Sequence, residues 1–287
     1  MTAIKPKPEL IAEVVNPTSL HLSFAKYGRV GKTTWLKLLI EYMTEKKKQH
    51  IIVDTDKETP NVARAYTPEI LDAWAGNKVT NESLDDLLFD DLTMPTTIPP
   101  ATIQERINRL LAEQIVFSDD NRTEYLTRNL LSLSKFGRDV LVNLPANVYQ
   151  PVCDFITTNN LHRSAKIKLF NWWISNGSEE SLDLFVETQA KFPQAKHILV
   201  LNQGNFQYVY DWKRFRLSKS IADLYHRHLI KVVRMPFLSV EPGFWQSQES
   251  VPYHDIIRDN AIDEFVRDAI ETWTIKAFDE IEQTTWL

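Results

Sequence analysis

The segment 27-YGRVGKTT-34 sets two glycines, a lysine and two threonines between an apolar run, 19-SLHLSFA-25, and a helical pattern over 33–48. Glycines in such a loop let successive backbone N–H groups turn inward on one anion, and the helix that follows aims its positive end at the same place. A lysine there reaches the β and γ phosphates of a nucleotide, and the hydroxyl after it ligates Mg²⁺. Gly28, Val30, Gly31, Lys32, Thr33 and Thr34 therefore read as a phosphate cradle, with Lys32 on the phosphates and Thr33 on the metal. The chain has only 7 glycines, so two in one loop need a reason. The usual pattern, GxxxxGK[ST], has a glycine where this chain has Lys26, so the loop is a variant.

Three further groups of residues could act with that loop. In 51-IIVDTDKE-58, Asp54 and Asp56 stand two apart at the tip of an apolar run. On a strand that spacing points both carboxylates to one side, into the crevice where ligands of open α/β sheets bind. One could then hold the metal's water shell and the other orient an attacking water. Asn202, after 197-HILVL-201, carries a donor and an acceptor that suit the edge of adenine. The run 202-NQGN-205 lacks the aspartate of an NKxD-type guanine reader, which favours ATP over GTP. Finally, 212–234 holds Lys213, Arg214, Arg216, Lys219, Arg227, Lys231 and Arg234 against one acid, Asp223. Such a segment is either a non-specific contact for a nucleic-acid backbone or a solvated face.

The elements that must position these residues alternate. Strands are predicted at 19–25, 51–54, 139–143, 167–175, 197–202 and 231–237, and helices at 33–48, 121–135, 178–192 and 217–228. Strands alternating with helices give βαβ units and an α/β fold with a doubly wound, mostly parallel sheet. Residues 57–138, between the second and third strands, read as a helical excursion on a single nucleotide-binding domain spanning 1–287, after an N-terminal extension at 1–18. A C-terminal helix over 261–281 has Ile262, Phe265, Val266, Ala269, Ile270, Trp273 and Ala277 on one stripe, expected to dock on the sheet.

An apolar fraction of 43% and a charged fraction of 25% are those of a folded globule, and a net charge of −5 confines any nucleic-acid contact to a local patch. The only cysteine, Cys153, cannot form an internal bridge and suits a reducing, cytoplasmic setting as a small buried hydrophobe. No run reaches membrane-spanning length, and the N-terminus lacks the apolar core of a signal peptide.

Taken together, 27-YGRVGKTT-34, 54-DTDKE-58, 142-VNLPAN-147, 199-LVLNQG-204 and 234-RMPF-237 resemble the deviant-Walker ATPases of the ParA/MinD family, over about residues 19–240. Within it they are most similar to StbB/MobD-type proteins of plasmid stabilisation and mobilisation. The resemblance implies ATP and Mg²⁺ as cofactors and a nucleotide-dependent homodimer with ATP between the subunits. It also implies action on plasmids or DNA, with non-specific DNA and a small DNA-binding or relaxase-type protein as partners. Asp56 would position water, Asp54 and Thr33 would serve the metal, Asn202 and Pro236 would form the adenine slot, and Asn143 and Pro145 would be the switch. The family's signature lysine is replaced by Tyr27; Lys26 stands one place earlier, and Arg29 either stands in for that lysine or faces solvent. Asn143 stands where the family has a carboxylate, which implies slow turnover. A nucleotide-dependent scaffold with little hydrolysis, or a small-molecule ligase or kinase on the same fold, are the alternatives.

Overall fold

β-Branched and aromatic residues flanked by polar turns produce six strands: β1 (Thr18–Phe24), β2 (His50–Asp54), β3 (Asp139–Asn143), β4 (Ile167–Ser175), β5 (Lys196–Asn202) and β6 (Ile230–Met235). Each lies within a residue or two of its expected position. The structure, a computed structural model, describes residues 17–76, 100–117, 124–205 and 218–284. All pairings in the sheet are parallel, in the order β2-β3-β1-β4-β5-β6. The chain leaves β1 toward one edge and, after β3, crosses β1 to build the other half. The carboxyl end of β1 is therefore the topological switch point, where open α/β sheets hold their ligands.

Eleven helices accompany the strands among the described residues: α1 (Lys32–Glu45), α2 (Asn61–Tyr66), α3 (Pro68–Gly76), α4 (Pro100–Ala112), α5 (Glu124–Leu133), α6 (Tyr149–Thr158), α7 (Glu179–Lys191), α8 (Lys219–His226), α9 (Pro242–Ser247), α10 (Tyr253–Arg258) and α11 (Glu264–Glu282). Alternation along the strands divides them into two layers. Leu20, Leu22, Phe24 and Trp173 pack with Ile70, Leu111, Leu130, Phe155, Phe185 and Ile221 of α3–α8. Phe170, Trp172, Val200 and Met235 point the other way, against α1, α10 and α11. The described helices of 57–138 thus cover the same sheet. Cys153 is free and fully buried in this core. Among the described residues no helix is long and apolar enough to cross a membrane.

The stripe expected on the last helix needs one correction. Ile270, Trp273, Ala277 and Ile281 are buried, but Phe265 is 83% exposed. The buried positions recur at three and four residues, and Phe265 lies about a third of a turn off that line. Its side chain is directed away from the sheet by helical geometry, whatever its hydrophobicity.

Two histidines are sealed inside the sheet layers. His21 stacks on Phe170 at 4.5 Å, and its Nδ1 accepts from the Trp172 indole N–H at 3.1 Å. His197 donates from Nε2 to the Phe192 carbonyl at 2.8 Å and accepts at Nδ1 from Asn171 at 3.0 Å. An indole N–H and an amide NH₂ only donate, so Nδ1 of each ring carries no proton and both rings are the neutral form. Burial pushes each down to about 4 from an ordinary value near 6.5. The unfolded chain therefore binds more protons between those values, and stability is lost as pH is lowered through that window, on the order of 3 kcal/mol for each ring. Ring proton signals of His21 and His197 should stay untitrated from pH 8 down to about 5. A midpoint near 6.5 for either ring would contradict its burial as a neutral group.

Candidate functional site

The phosphate-loop sequence sits at the switch point, between the end of β1 and α1. Arg29 (φ 59°) and Gly31 (φ 95°) both take left-handed backbone, with buried Val30 between them. Left-handed residues alternating with ordinary ones turn neighbouring N–H groups toward one side, the concave arrangement that binds anions. For a non-glycine residue such as Arg29 that conformation is strained. Gly31 has a second constraint, since a Cβ there would lie 2.6 Å from Met235 Cε and 2.7 Å from Asn202 Nδ2. Trp35 N–H bonds to the Gly31 carbonyl at 2.9 Å and opens α1 directly behind the loop.

Lys32 begins that helix with only 8% of its surface exposed, and its ammonium turns back to the Tyr27 carbonyl at 3.5 Å. Burial holds the Lys32 ammonium below its usual range, and the charge of half-buried Asp56 offsets part of this. Thr33 and Thr34 are half-buried in the first turn. Gly28 and Arg29 are exposed at the loop's tip. A Cβ on Gly28 would meet Ala146 Cβ at 3.7 Å, so the turn after β3, with half-buried Pro145, runs beside the loop.

The two aspartates do not work as a matched pair. Asp54 ends β2, where it is 3% exposed, and its carboxylate accepts four hydrogen bonds. Oδ2 takes the N–H groups of Val62 and Ala63 at 3.0 Å each, at the start of α2; Oδ1 takes Asn143 Nδ2 at 2.9 Å and the Asp56 N–H at 3.2 Å. Burial raises the Asp54 carboxyl above its ordinary value, and the amide of Asn143 pulls against that. Asp56 lies beyond the strand, where period-two alternation no longer applies. Its carboxylate accepts from the N–H groups of Glu58 (3.1 Å) and Thr59 (3.0 Å) and from the Thr59 hydroxyl. The two acids therefore hold different parts of the chain, and Asp56, half-buried, is the one whose charge reaches Lys32.

Asn143 also gains a structural reason. Its amide donates to Asp54, a task for which a carboxylate has no proton, and its carbonyl oxygen takes the Thr55 N–H and hydroxyl. The side-chain Oδ1 of Asn143 is buried and takes no hydrogen bond among the described residues.

Asn202 and Pro236 are present at the tips of β5 and β6, but their polar groups are engaged. Asn202 Nδ2 donates to the Val30 carbonyl at 2.9 Å, and Oδ1 accepts from the Gly204 N–H at 2.9 Å. The Pro236 carbonyl accepts from the Trp273 indole at 2.8 Å. Asn202 thus holds the 27–34 loop in shape. Lys26 and the Tyr27 hydroxyl both meet Glu180 Oε2 in the first turn of α7, with the lysine at 3.5 Å. The hydrogen bond from Tyr27, then the charge of Lys26, hold the Glu180 carboxyl below its usual range. Sequence reasoning missed Glu180, whose only local signal is an acid after the helix cap Ser178. Lys213, Arg214 and Arg216 lie outside the described residues; Lys219 is exposed at the start of α8.

Neither a family model nor a curated protein matches this chain.

Two substitutions probe this geometry. Gly31→Ala should cost on the order of 2 kcal/mol in urea unfolding, since it forces a side chain into left-handed backbone against Asn202 and Met235. A change below about 0.5 kcal/mol would mean that the loop is not held this way. Asn143→Asp would set a second buried carboxylate against Asp54, so one of the two must keep a proton in the folded protein. The raised folded-state pKa makes the variant's stability present at low pH and lost as pH rises through it. Relative to the parent, its urea midpoint should be near normal at pH 4.5 and clearly lower at pH 8; equal deficits at both would refute the pairing.

Proposed function

We propose that this protein is a nucleotide-dependent switch of the deviant-Walker type, binding ATP with Mg²⁺ and hydrolysing it slowly in the handling of plasmid or other DNA. The observation that carries the reading is Lys32. It is a buried ammonium at the positive end of a helix, set in a loop with two left-handed residues, and its closest partner is a carbonyl at 3.5 Å. Burying a charge without an ion pair is costly, and an incoming phosphate supplies the missing counter-charge.

The residues present fit the cofactors. Mg²⁺ prefers oxygen ligands and keeps several waters, binding through few protein groups plus phosphates. The Thr33 hydroxyl, the Asp56 carboxylate and the unpartnered Oδ1 of Asn143 are such groups. Among the described residues no set of three or more His, Cys, Asp or Glu side chains forms a cage of its own. Bound Mg²⁺ neutralises phosphate charge. Lys32 and the 28–34 backbone would hold the anion, Asp56 would orient water, and Asn143 Oδ1 would accept a hydrogen bond from water without acting as a base. Asp54, fully hydrogen-bonded, serves as a positioning residue for α2 and Asn143.

Slow turnover is favoured over rapid hydrolysis by the amide at Asn143 and by the occupation of Asp54. The same observations favour, as a second reading, a scaffold that uses nucleotide to change partners. A homodimer closed by ATP is part of the proposal by resemblance, with a DNA contact at Lys213, Arg214, Arg216 and Lys219 and a small DNA-binding or relaxase-type partner.

The direct test is Lys32→Ala. Calorimetry with ATP and Mg²⁺ should show binding to the parent protein and at least a hundredfold weaker binding to the variant, about 3 kcal/mol for loss of a charge-assisted contact. An unchanged Kd would remove Lys32 from the phosphates and the proposal with it.

A further inference from the structure

A cavity of about 270 Å³ opens beside the loop, between the ends of β5 and β6 and the last turns of α11. Gln203 and Pro236 line it from the sheet side and Lys276, Asp279 and Gln283 from the helix side. Asn202 and Met235, which press on Gly31, are the immediate neighbours of Gln203 and Pro236. The volume lies just under the roughly 300 Å³ at which small-molecule pockets begin, enough for a base and sugar whose phosphates lie elsewhere.

The groups first expected to read a base cannot do so as they stand. Both ends of the Asn202 amide are engaged, by Val30 and Gly204, and the Pro236 carbonyl is held by Trp273. Breaking the Asn202 bonds to meet a ligand would release the loop that must hold its phosphates. The side-chain amides of Gln203 and Gln283, by contrast, take no partner among the described residues. A glutamine amide presents a donor and an acceptor side by side, the pattern that matches the N6/N7 edge of adenine. Arginine is the better reader of guanine, and Arg234 is tied to Glu280, through its backbone N–H at 2.9 Å and its guanidinium at 3.7 Å.

We infer that this cavity is the adenine pocket and that Gln203 and Gln283, not Asn202, read the base, with the ring of Pro236 as one wall. Asp279 then stands as a further acceptor for the exocyclic amine. The inference rests on the phosphate-loop reading, and it makes α11 a determinant of nucleotide choice, 81 residues beyond Asn202 in the case of Gln283.

Calorimetry on the full chain with three Mg²⁺-loaded probes tests it: ATP, GTP and inorganic tripolyphosphate. The parent protein should favour ATP over GTP by about tenfold or more. Gln203→Ala with Gln283→Ala should weaken ATP about tenfold, bring the ATP-to-GTP ratio near one, and leave tripolyphosphate unchanged. Both side chains are at least partly exposed, so the urea midpoint should stay within the parent's range. An unaltered ratio in the double variant overturns the inference while leaving the phosphate loop standing. A parent preference for GTP overturns it too, and moves base reading to Lys276 and Asp279. Failure of the parent to bind tripolyphosphate rejects the phosphate loop itself, and the inference falls with it.

Discussion

A carboxylate sunk beneath a protein surface must find a donor for every lone pair, and Asp54 finds four. They come from the start of α2, from the tip of β3 and from its own loop. A buried anion that is fully hydrogen-bonded is stable; the same anion with one donor removed leaves a charge in a low-dielectric site. This requirement fixes how far β2, β3 and α2 can move against one another. It also gives Asn143 a reason to be an amide.

The constraint continues into the helix behind the loop. Tyr66, at the end of α2, donates to Glu41 of α1 at 2.7 Å, and the same carboxylate takes the Tyr253 N–H at 2.9 Å and His254 Nδ1 at 2.8 Å. Lys37, one turn earlier, bonds to the carbonyls of Glu249 and Val251, and burial pushes it down to about 8. Tyr253 then returns to the first turn of α1, with its hydroxyl donating to the Thr34 carbonyl at 3.3 Å. Asp54, α2, Glu41 and Tyr253 thus form a connected path that ends next to Thr33.

The loop itself is held from two other directions. Asn202 fixes its inner side through Val30, and Glu180 gathers Lys26 and Tyr27 on its outer side. The outer contacts are exposed and of the kind that contributes little to stability. The inner ones are buried. The loop is thus rigid toward the sheet and yielding toward solvent.

Residue types and periodicity were enough to predict the strands, the parallel sheet and the loop. Local pattern carries that information: short apolar runs covered on both faces, helical repeats between them, and glycines clustered in the turn after the first strand. Residue types and spacing also pointed Lys32, Thr33 and Asp56 at one crevice, whereas Asn143 and Asn202 were singled out only through the resemblance to a family. What each polar group is bonded to was decided only by the tertiary structure. Strand order sets Asn143 beside Asp54 across 89 residues and Asn202 beside Val30 across 172. The end of β2 at Asp54 sends Asp56 into different company, and helical phase exposes Phe265. A residue's type states how many hydrogen bonds it can make, but only the folded chain determines which of them are already made, and so which groups are left for a ligand.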